Sequence, residues 1–319
     1  MRHLITGAAG FIGSQLADAL LADGDTVAGV DDFYLGKPAH LAAARKNPRF
    51  SFAEADISDR GAASQAFRAL VGDAPPDLIW HLAANSDIAA GVADPSIDFR
   101  RTLQTTFATI EAAKQIRARA VAFASTSAVY GETDKLLTED VGPLLPISNY
   151  GAAKLASEAL LSAAAESALD RIWIFRFPNV IGPRATHGAL YDFAGRLAAR
   201  PASLRVLGDG SQTKPYLHVS ELIDAMRFVV ANAGARRNVF NIGPQSGGSR
   251  VSFLAETMIA RMAPGTPIAY TGGDRGWIGD VPRFAYSTER LAKLGWRPKL
   301  SSDDAVRRAA DELALEAVG

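Results

Sequence analysis

Tyr150 and Lys154 occupy the first and last positions of Tyr-Gly-Ala-Ala-Lys, and Thr126 lies upstream of them at the end of an apolar, β-rich run. On a helix, residues i and i+4 share one face, so the phenol and the ammonium can point at the same ligand. A nearby ammonium favours the phenolate, bringing a tyrosine down from about 10 toward the range where it accepts a proton at neutral pH. Tyr150 is therefore a candidate general base. Taken alone, the pair also suits two residues packed on an amphipathic helix, and its position in the chain decides between the two.

A second group of residues suits a phosphate-bearing ligand. Thr6-Gly7-Ala8-Ala9-Gly10-Phe11-Ile12-Gly13 joins a first strand to a first helix. Glycines there permit a tight turn, close approach of backbone amides to a pyrophosphate, and close packing of helix on strand. Roughly 20 residues beyond the glycines the next strand ends at Val30-Asp31-Asp32, the separation at which a carboxylate accepts the ribose hydroxyls of a dinucleotide. An acid at that point repels a 2′-phosphate, so NAD is expected over NADP. Asp56-Ile57 follows the third strand and can offer a carboxylate to the adenine amine and an apolar side chain to the ring. His81-Leu82-Ala83-Ala84 closes the fourth with small residues where a nicotinamide ribose would pass. Each pair alone is also ordinary strand-end chemistry, and His81 suits a satisfied core histidine; their order after the glycine turn favours the cofactor.

The elements that must carry these residues alternate. Strands are expected near 2–6, 26–31, 50–54, 77–82, 119–125 and 171–177, and helices near 11–23, 58–71, 95–117 and 148–169. That alternation predicts an α/β fold with a doubly wound parallel sheet. After Pro178 the chain is punctuated by glycine and proline, with helices expected near 188–199, 219–233, 251–263 and 303–315 and a strand returning to the sheet at 238–242. The expected division is a dinucleotide domain over 1–178, rejoined by 215–243, and a smaller substrate-binding lobe over 179–319.

Composition narrows the partners. The 319 residues carry 34 basic and 34 acidic side chains, a formal charge of zero, so no summed field holds a nucleic acid or an anionic membrane. Cysteine is absent, which removes disulfides and thiolate metal sites and fits a reducing cytoplasm. No metal site is expected. No apolar run approaches the ~20 residues that span a bilayer, and the start at Met1-Arg2-His3 leaves no room for a signal sequence, so a cytoplasmic location is expected.

In the order TGAAGFIG (6–13), Asp31, Asp56-Ile57, HLAA (81–84), STSAVYG (125–131), YGAAK (150–154), RFPNVIGPR (176–184) and LGDGSQTKPYLHVSE (207–221), the chain resembles the extended short-chain dehydrogenases, the NAD-dependent epimerase/dehydratase family. The likeness runs over essentially the whole chain and implies a Rossmann sheet with retained NAD and a nucleotide-sugar substrate. It makes Thr126, Tyr150 and Lys154 the catalytic trio and assigns Gly7, Gly10, Phe11, Ile12, Gly13, Asp31, Asp32, Asp56, Ile57, Leu82, Ala83 and Ala84 to the cofactor, with Tyr150 and Lys154 also touching it. Ser127 would meet the substrate, and Asn179, Arg184, Lys214 and Arg275 would hold its diphosphate.

Three departures qualify the likeness. Lys214 replaces the usual arginine, a point charge in place of a bidentate fork. Thr102 replaces an asparagine, and Arg275 is displaced within Arg-Gly-Trp-Ile-Gly-Asp. Where dehydratases of the family carry an acid pair after the threonine, this chain has Ser127 and Ala128, which points to epimerisation at C4 of a UDP-hexose. The rivals are a dehydratase, decarboxylase or reductase of the family, and a catalytically silent redox sensor. A homodimer joined through the helices near 95–117 and 148–169 is also implied.

Overall fold

The computed structural model describes residues 1–245, 247–273 and 286–318. The chain forms two compact units. One comprises 1–129, 145–176 and 226–240, and the other 130–144, 177–225 and 241–319. The stretch 130–144 thus belongs with the later residues, and the segment that returns to the first unit is 226–240, shorter than the 215–243 read from the sequence.

In the first unit β1 (Arg2–Thr6), α1 (Phe11–Ala22), β2 (Thr26–Asp31), β3 (Phe50–Glu54), α2 (Arg60–Val71) and β4 (Leu78–His81) follow in turn. Then come the short helices α3 (Ile88–Ala93) and α4 (Pro95–Asp98), one turn of π-helix (Phe99–Gln104), α5 (Thr105–Gln115), β5 (Ala120–Ala124), α6 (Asn149–Ala164) and β6 (Arg171–Arg176). A single helix was expected over 95–117. Asp94 caps α4 with its side chain, and the π turn inserts an extra residue before α5, breaking the run into three.

The second unit holds β7 (Asn179–Ile181), α7 (Ala189–Ala198), β8 (Leu204–Val206), β9 (Thr213–Lys214) and β10 (Tyr216–His218). From there α8 (Val219–Asn232) and β11 (Arg237–Asn241) run back to the sheet, and β12 (Ser249–Arg250), α9 (Val251–Met262), β13 (Ile268–Tyr270), α10 (Glu289–Leu294) and α11 (Ser302–Val318) complete the chain. Its strands pair in twos, β7 with β10, β9 with β12 and β8 with β13. Helices α7, α9 and α11 pack on one another.

The main sheet has seven strands in the order β11-β6-β5-β4-β1-β2-β3, with the pairings from β3 to β6 all parallel. The order reverses between β1 and β4, the switch point outside whose carboxyl ends doubly wound folds bind ligands. Strand β4 is buried along its whole length, as a central parallel strand covered by helices on both faces must be. Phe67 of α2, Ile110 of α5 and Leu161 of α6 share one core with Leu4, Ile79, Val121 and Ile174 of the strands. Burying such side chains contributes about 1.5–3 kcal/mol each, which fixes where each strand ends. The strand ends carry Thr6, Asp31, His81 and Ala124.

Candidate active site

Helix α6 begins where the sequence places the reactive tyrosine. Ser148 caps it by accepting the Gly151 amide at 3.1 Å, which puts Tyr150 and Lys154 on successive turns of one face. The Lys154 ammonium, 3% exposed, donates to the Ala124 carbonyl at 2.6 Å and lies 5.9 Å from the centre of the Tyr150 ring. Thr126 is buried two residues beyond that carbonyl; its hydroxyl oxygen accepts the Ala128 amide at 3.1 Å and it hydrogen-bonds Tyr150. The expected trio is brought together.

The electrostatics differ from the expectation. Burial pushes the Tyr150 phenol up to about 12, with the Thr126 hydrogen bond pulling against it, and Lys154 is not among the groups that move it. Burial likewise draws Lys154 down to about 7, against the carboxylates of Glu158 and Asp98. Lysine was expected to lower the tyrosine. The loss of water outweighs it here, because both groups are enclosed and the ammonium is committed to a backbone carbonyl.

Residues that the sequence did not single out surround the lysine. Glu158, one turn further along α6, accepts both Nε and Nη2 of Arg176 from the end of β6, at 3.0 and 2.7 Å, and a short hydrogen bond from the Ser125 hydroxyl. Glutamate at i+8 from Tyr150 is the one sequence signal that could have found the pair.

At the glycine turn, a Cβ on Gly13 would lie 2.0 Å from the Gly7 carbonyl oxygen, so only glycine lets α1 start this close to β1. Helix α1 has no side-chain cap and no acid in its first turn, whereas α2, α3 and α6 are capped by Asp59, Asp87 and Ser148. Its first amides are left for an anionic ligand. Phe11 is buried under the turn, and Gly7, Gly10 and Ile12 are half-buried. Asp31 accepts the Ala9 amide at 2.9 Å and the Phe33 amide at 2.8 Å, and burial holds it above the usual carboxylate range despite them. Asp32 faces elsewhere, paired at 2.7 Å with Arg101, whose guanidinium stacks 3.5 Å over Tyr34.

Asp56 accepts from the Ser58 amide and hydroxyl and pairs with Arg100 at 2.5 Å; these contacts hold it low against its burial. Ile57 is buried in the core. His81 is fully buried between the hydroxyls of Thr6 (2.8 Å) and Thr106 (2.9 Å), and burial, then Lys154, depress it to about 3. It is a neutral core histidine. Leu82 and Ala83 donate their amides to Thr6 Oγ1, each at 3.2 Å, and with Ala84 are half-buried. Ser127 is half-buried beside Thr126.

In the second unit Asn179 donates to the Pro215 carbonyl at 3.3 Å, placing it beside the strand that carries the buried Lys214. Arg184, at φ 61°, gives its amide to Glu316. Arg275 lies outside the described residues. Among the described residues no cluster of three or more His, Asp or Glu could hold a metal ion.

A doubly wound sheet with a glycine turn, an acid at the end of β2 and a half-buried tyrosine above a buried lysine beside the switch point defines a dinucleotide-dependent α/β enzyme. The NAD dependent epimerase/dehydratase family model matches residues 3–243, and the chain belongs to that family, with NAD as its cofactor. It is 32% identical to a UDP-glucose 4-epimerase of Mycolicibacterium smegmatis over 98% of both chains. It is 29% identical to a dTDP-glucose 4,6-dehydratase of Streptomyces griseus over 94% of this chain and 90% of that one. Among solved structures it superimposes on the UDP-glucose 4-epimerase of Thermus thermophilus in complex with NAD, with TM-score 0.84 and 28% identity over 98% and 99% of the two chains.

Proposed function

We propose that the protein interconverts the C4 epimers of a UDP-hexose. The observation that carries this is the Thr126–Tyr150–Lys154 cluster followed by Ser127 and Ala128, a proton-transfer site with no carboxylate directly after its threonine. The uncapped start of α1 and the Asp31 carboxylate support NAD binding there, the first through its free amides and the second through the ribose hydroxyls. When bound, NAD would supply a reversible hydride acceptor and a positive charge that favours the Tyr150 phenolate. Thr126 hydrogen-bonds the C4 oxygen, and Tyr150, in its phenolate form, takes the hydroxyl proton as C4 is oxidised. After the keto sugar has turned over, Tyr150 returns the proton to the other epimer; the cycle needs no external reductant.

Asn179, Arg184, Lys214 and Arg275 are assigned to the diphosphate. A cytoplasmic enzyme is the reading that the absence of cysteine favours, and no helix among the described residues is long and apolar enough to cross a membrane. A homodimer is supported by Phe99 (59% exposed), Phe107 (39%) and the exposed Ala152, Ala159 and Ala163, all on the π turn, α5 and α6.

The test is conversion of UDP-glucose to UDP-galactose by the purified protein, followed by NMR with no added dinucleotide. Wild type should reach the epimer equilibrium and Tyr150→Phe should lose nearly all turnover. A deoxy sugar product in that mixture would move the chain to the dehydratase reading, and turnover that appears only when NADH is supplied and consumed would move it to the reductase reading.

A further inference from the structure

Asp98 is the last residue of α4 and is 1% exposed. One carboxylate oxygen accepts from the Asn85 amide at 2.8 Å, and the other has no hydrogen-bond partner. That second oxygen occupies the space a Cβ on Gly91 would need, only 1.9 Å away, so a glycine is required for the carboxylate to fit. The Gly91 carbonyl in turn accepts from Asn149, at the start of α6, at 3.0 Å. A carboxylate buried with a single neutral partner costs free energy unless a positive charge compensates it.

Among the described residues, other charged groups near the catalytic helix have partners of their own. On α6 and β6, Glu158 is matched by Arg176 in a bidentate pair. On the π turn, Arg100 and Arg101 are held by Asp56 and Asp32, and on α5 Lys114 is paired with Glu111. His81 of β4 is neutral, and Asp87, the cap of α3, faces Asp98 as a like charge while accepting the Ala90 amide. That leaves Lys154. Asp98 and Lys154 each favour the other's charged form, and Asp98 disfavours ionisation of Tyr150.

We propose that Asp98 is a positioning residue for the reaction: together with Glu158, which Arg176 already pairs, its buried carboxylate is a counter-charge of the Lys154 ammonium and sets the pH at which Tyr150 and Lys154 release their protons. Removing a negative charge makes both groups stronger acids. Tyr150 then becomes a phenolate at lower pH, and Lys154 loses its proton at lower pH, so both titrations move in the same direction. The proposal rests on the epimerase reading only for the turnover arm of its test.

The first arm needs no substrate. In the NAD-bound enzyme, the phenolate absorbance of wild type minus Tyr150→Phe reports the Tyr150 titration; the same difference is taken with Asp98→Asn present in both proteins. The isosteric change should move the midpoint toward acid by on the order of one pH unit, the scale of a unit charge in a partly buried site. In the second arm, the pH profile of sugar interconversion should slide toward acid as a whole, and Asp98→Glu should keep the wild-type window even where its rate falls. If Asp98→Asn does not fold, Asp98→Ser, which also relieves the contact with Gly91, is read in the same way. A lower rate or amplitude with an unmoved midpoint and window would overturn the proposal and leave Asp98 a merely structural residue. Absence of turnover in wild type with a displaced Tyr150 titration would instead sink the epimerase reading and keep this one.

Discussion

The Asp31 carboxylate accepts the Ala9 amide at 2.9 Å, fastening the end of β2 to the glycine turn that precedes α1. Its neighbour Asp32 is turned to Arg101. Successive strand residues face opposite ways, so only one of the two can serve the adenosine ribose. Asp31→Ala should weaken NAD binding by about 1.5–3 kcal/mol, the worth of a charge-assisted contact, or roughly 10- to 100-fold in Kd. Asp32→Ala loses a partly exposed ion pair and should change it little. Calorimetric titration of the cofactor-free variants checks this; equal, small effects would put the ribose elsewhere.

His81 makes a prediction about acid stability. Its folded pKa, about 3, is far below the ordinary 6.5, because the ring is buried neutral between Thr6 and Thr106. Between those two values the unfolded chain binds the extra proton, so stability is full above about 6.5 and falls as pH drops toward 3. The loss attributable to this group is on the order of a few kcal/mol. Denaturant melts from pH 7 to 4 should show His81→Gln with a flatter pH dependence than wild type, whatever its stability at pH 7. Parallel curves would exclude His81 as a source of the acid sensitivity.

The parts of this site that were legible in the sequence are those set by local geometry. Tyr150 and Lys154 share a helix face because they are four apart, and Asp31 is found by its distance from the glycine turn. The strands β1, β2 and β3 fall at the positions their apolar runs predict. What escaped is long-range or environmental. Arg176 and Glu158 come from different elements, and nothing in either segment announces the bidentate pair. The rise of Tyr150 to about 12 is produced by enclosure, which a sequence does not display. The π turn at Phe99–Gln104 interrupts a run whose apolar spacing still reads as one helix.

The buried pair beneath the lysine should be costly to break from one side. Arg176→Met leaves Glu158 enclosed with the Ser125 hydroxyl and the charge of Lys154 but without its bidentate partner, and removing one partner of such a pair costs about 3–5 kcal/mol. The double variant Arg176→Met/Glu158→Met removes both charges and should recover much of that loss. Urea midpoints of the two proteins test it. A double variant no more stable than the single would mean that the charges stabilise the fold as a pair.

Association offers an independent check. Phe99 and Phe107 are exposed aromatic residues on the π turn and α5, and an apolar face of this kind is usually covered. If the proposed homodimer forms through this face, Phe99→Asp/Phe107→Asp should convert it to monomer in sedimentation velocity. A wild-type protein that is already monomeric at high micromolar concentration would remove the dimer.

The last prediction concerns the sugar's C5 position. Once C4 is a ketone, the C5 proton becomes weakly acidic, yet its removal still needs a positioned base, and expulsion of the C6 hydroxyl needs an acid. Thr126 is followed by Ser127 and Ala128, neither of which carries a proton at the required pKa. Glu158 is sequestered by Arg176 and Ser125. These residues leave the keto sugar no acid–base pair directly after Thr126, and they favour the return of hydride. In deuterated water, UDP-glucose and UDP-galactose should interconvert with no deuterium at C5, read directly by proton NMR. Replacing the pair by Ser127→Asp/Ala128→Glu should introduce C5 exchange and reduce epimerisation, because the new carboxylates meet the same intermediate. C5 exchange by the unmodified enzyme would show that another group supplies the base and would shift the assignment to a dehydratase.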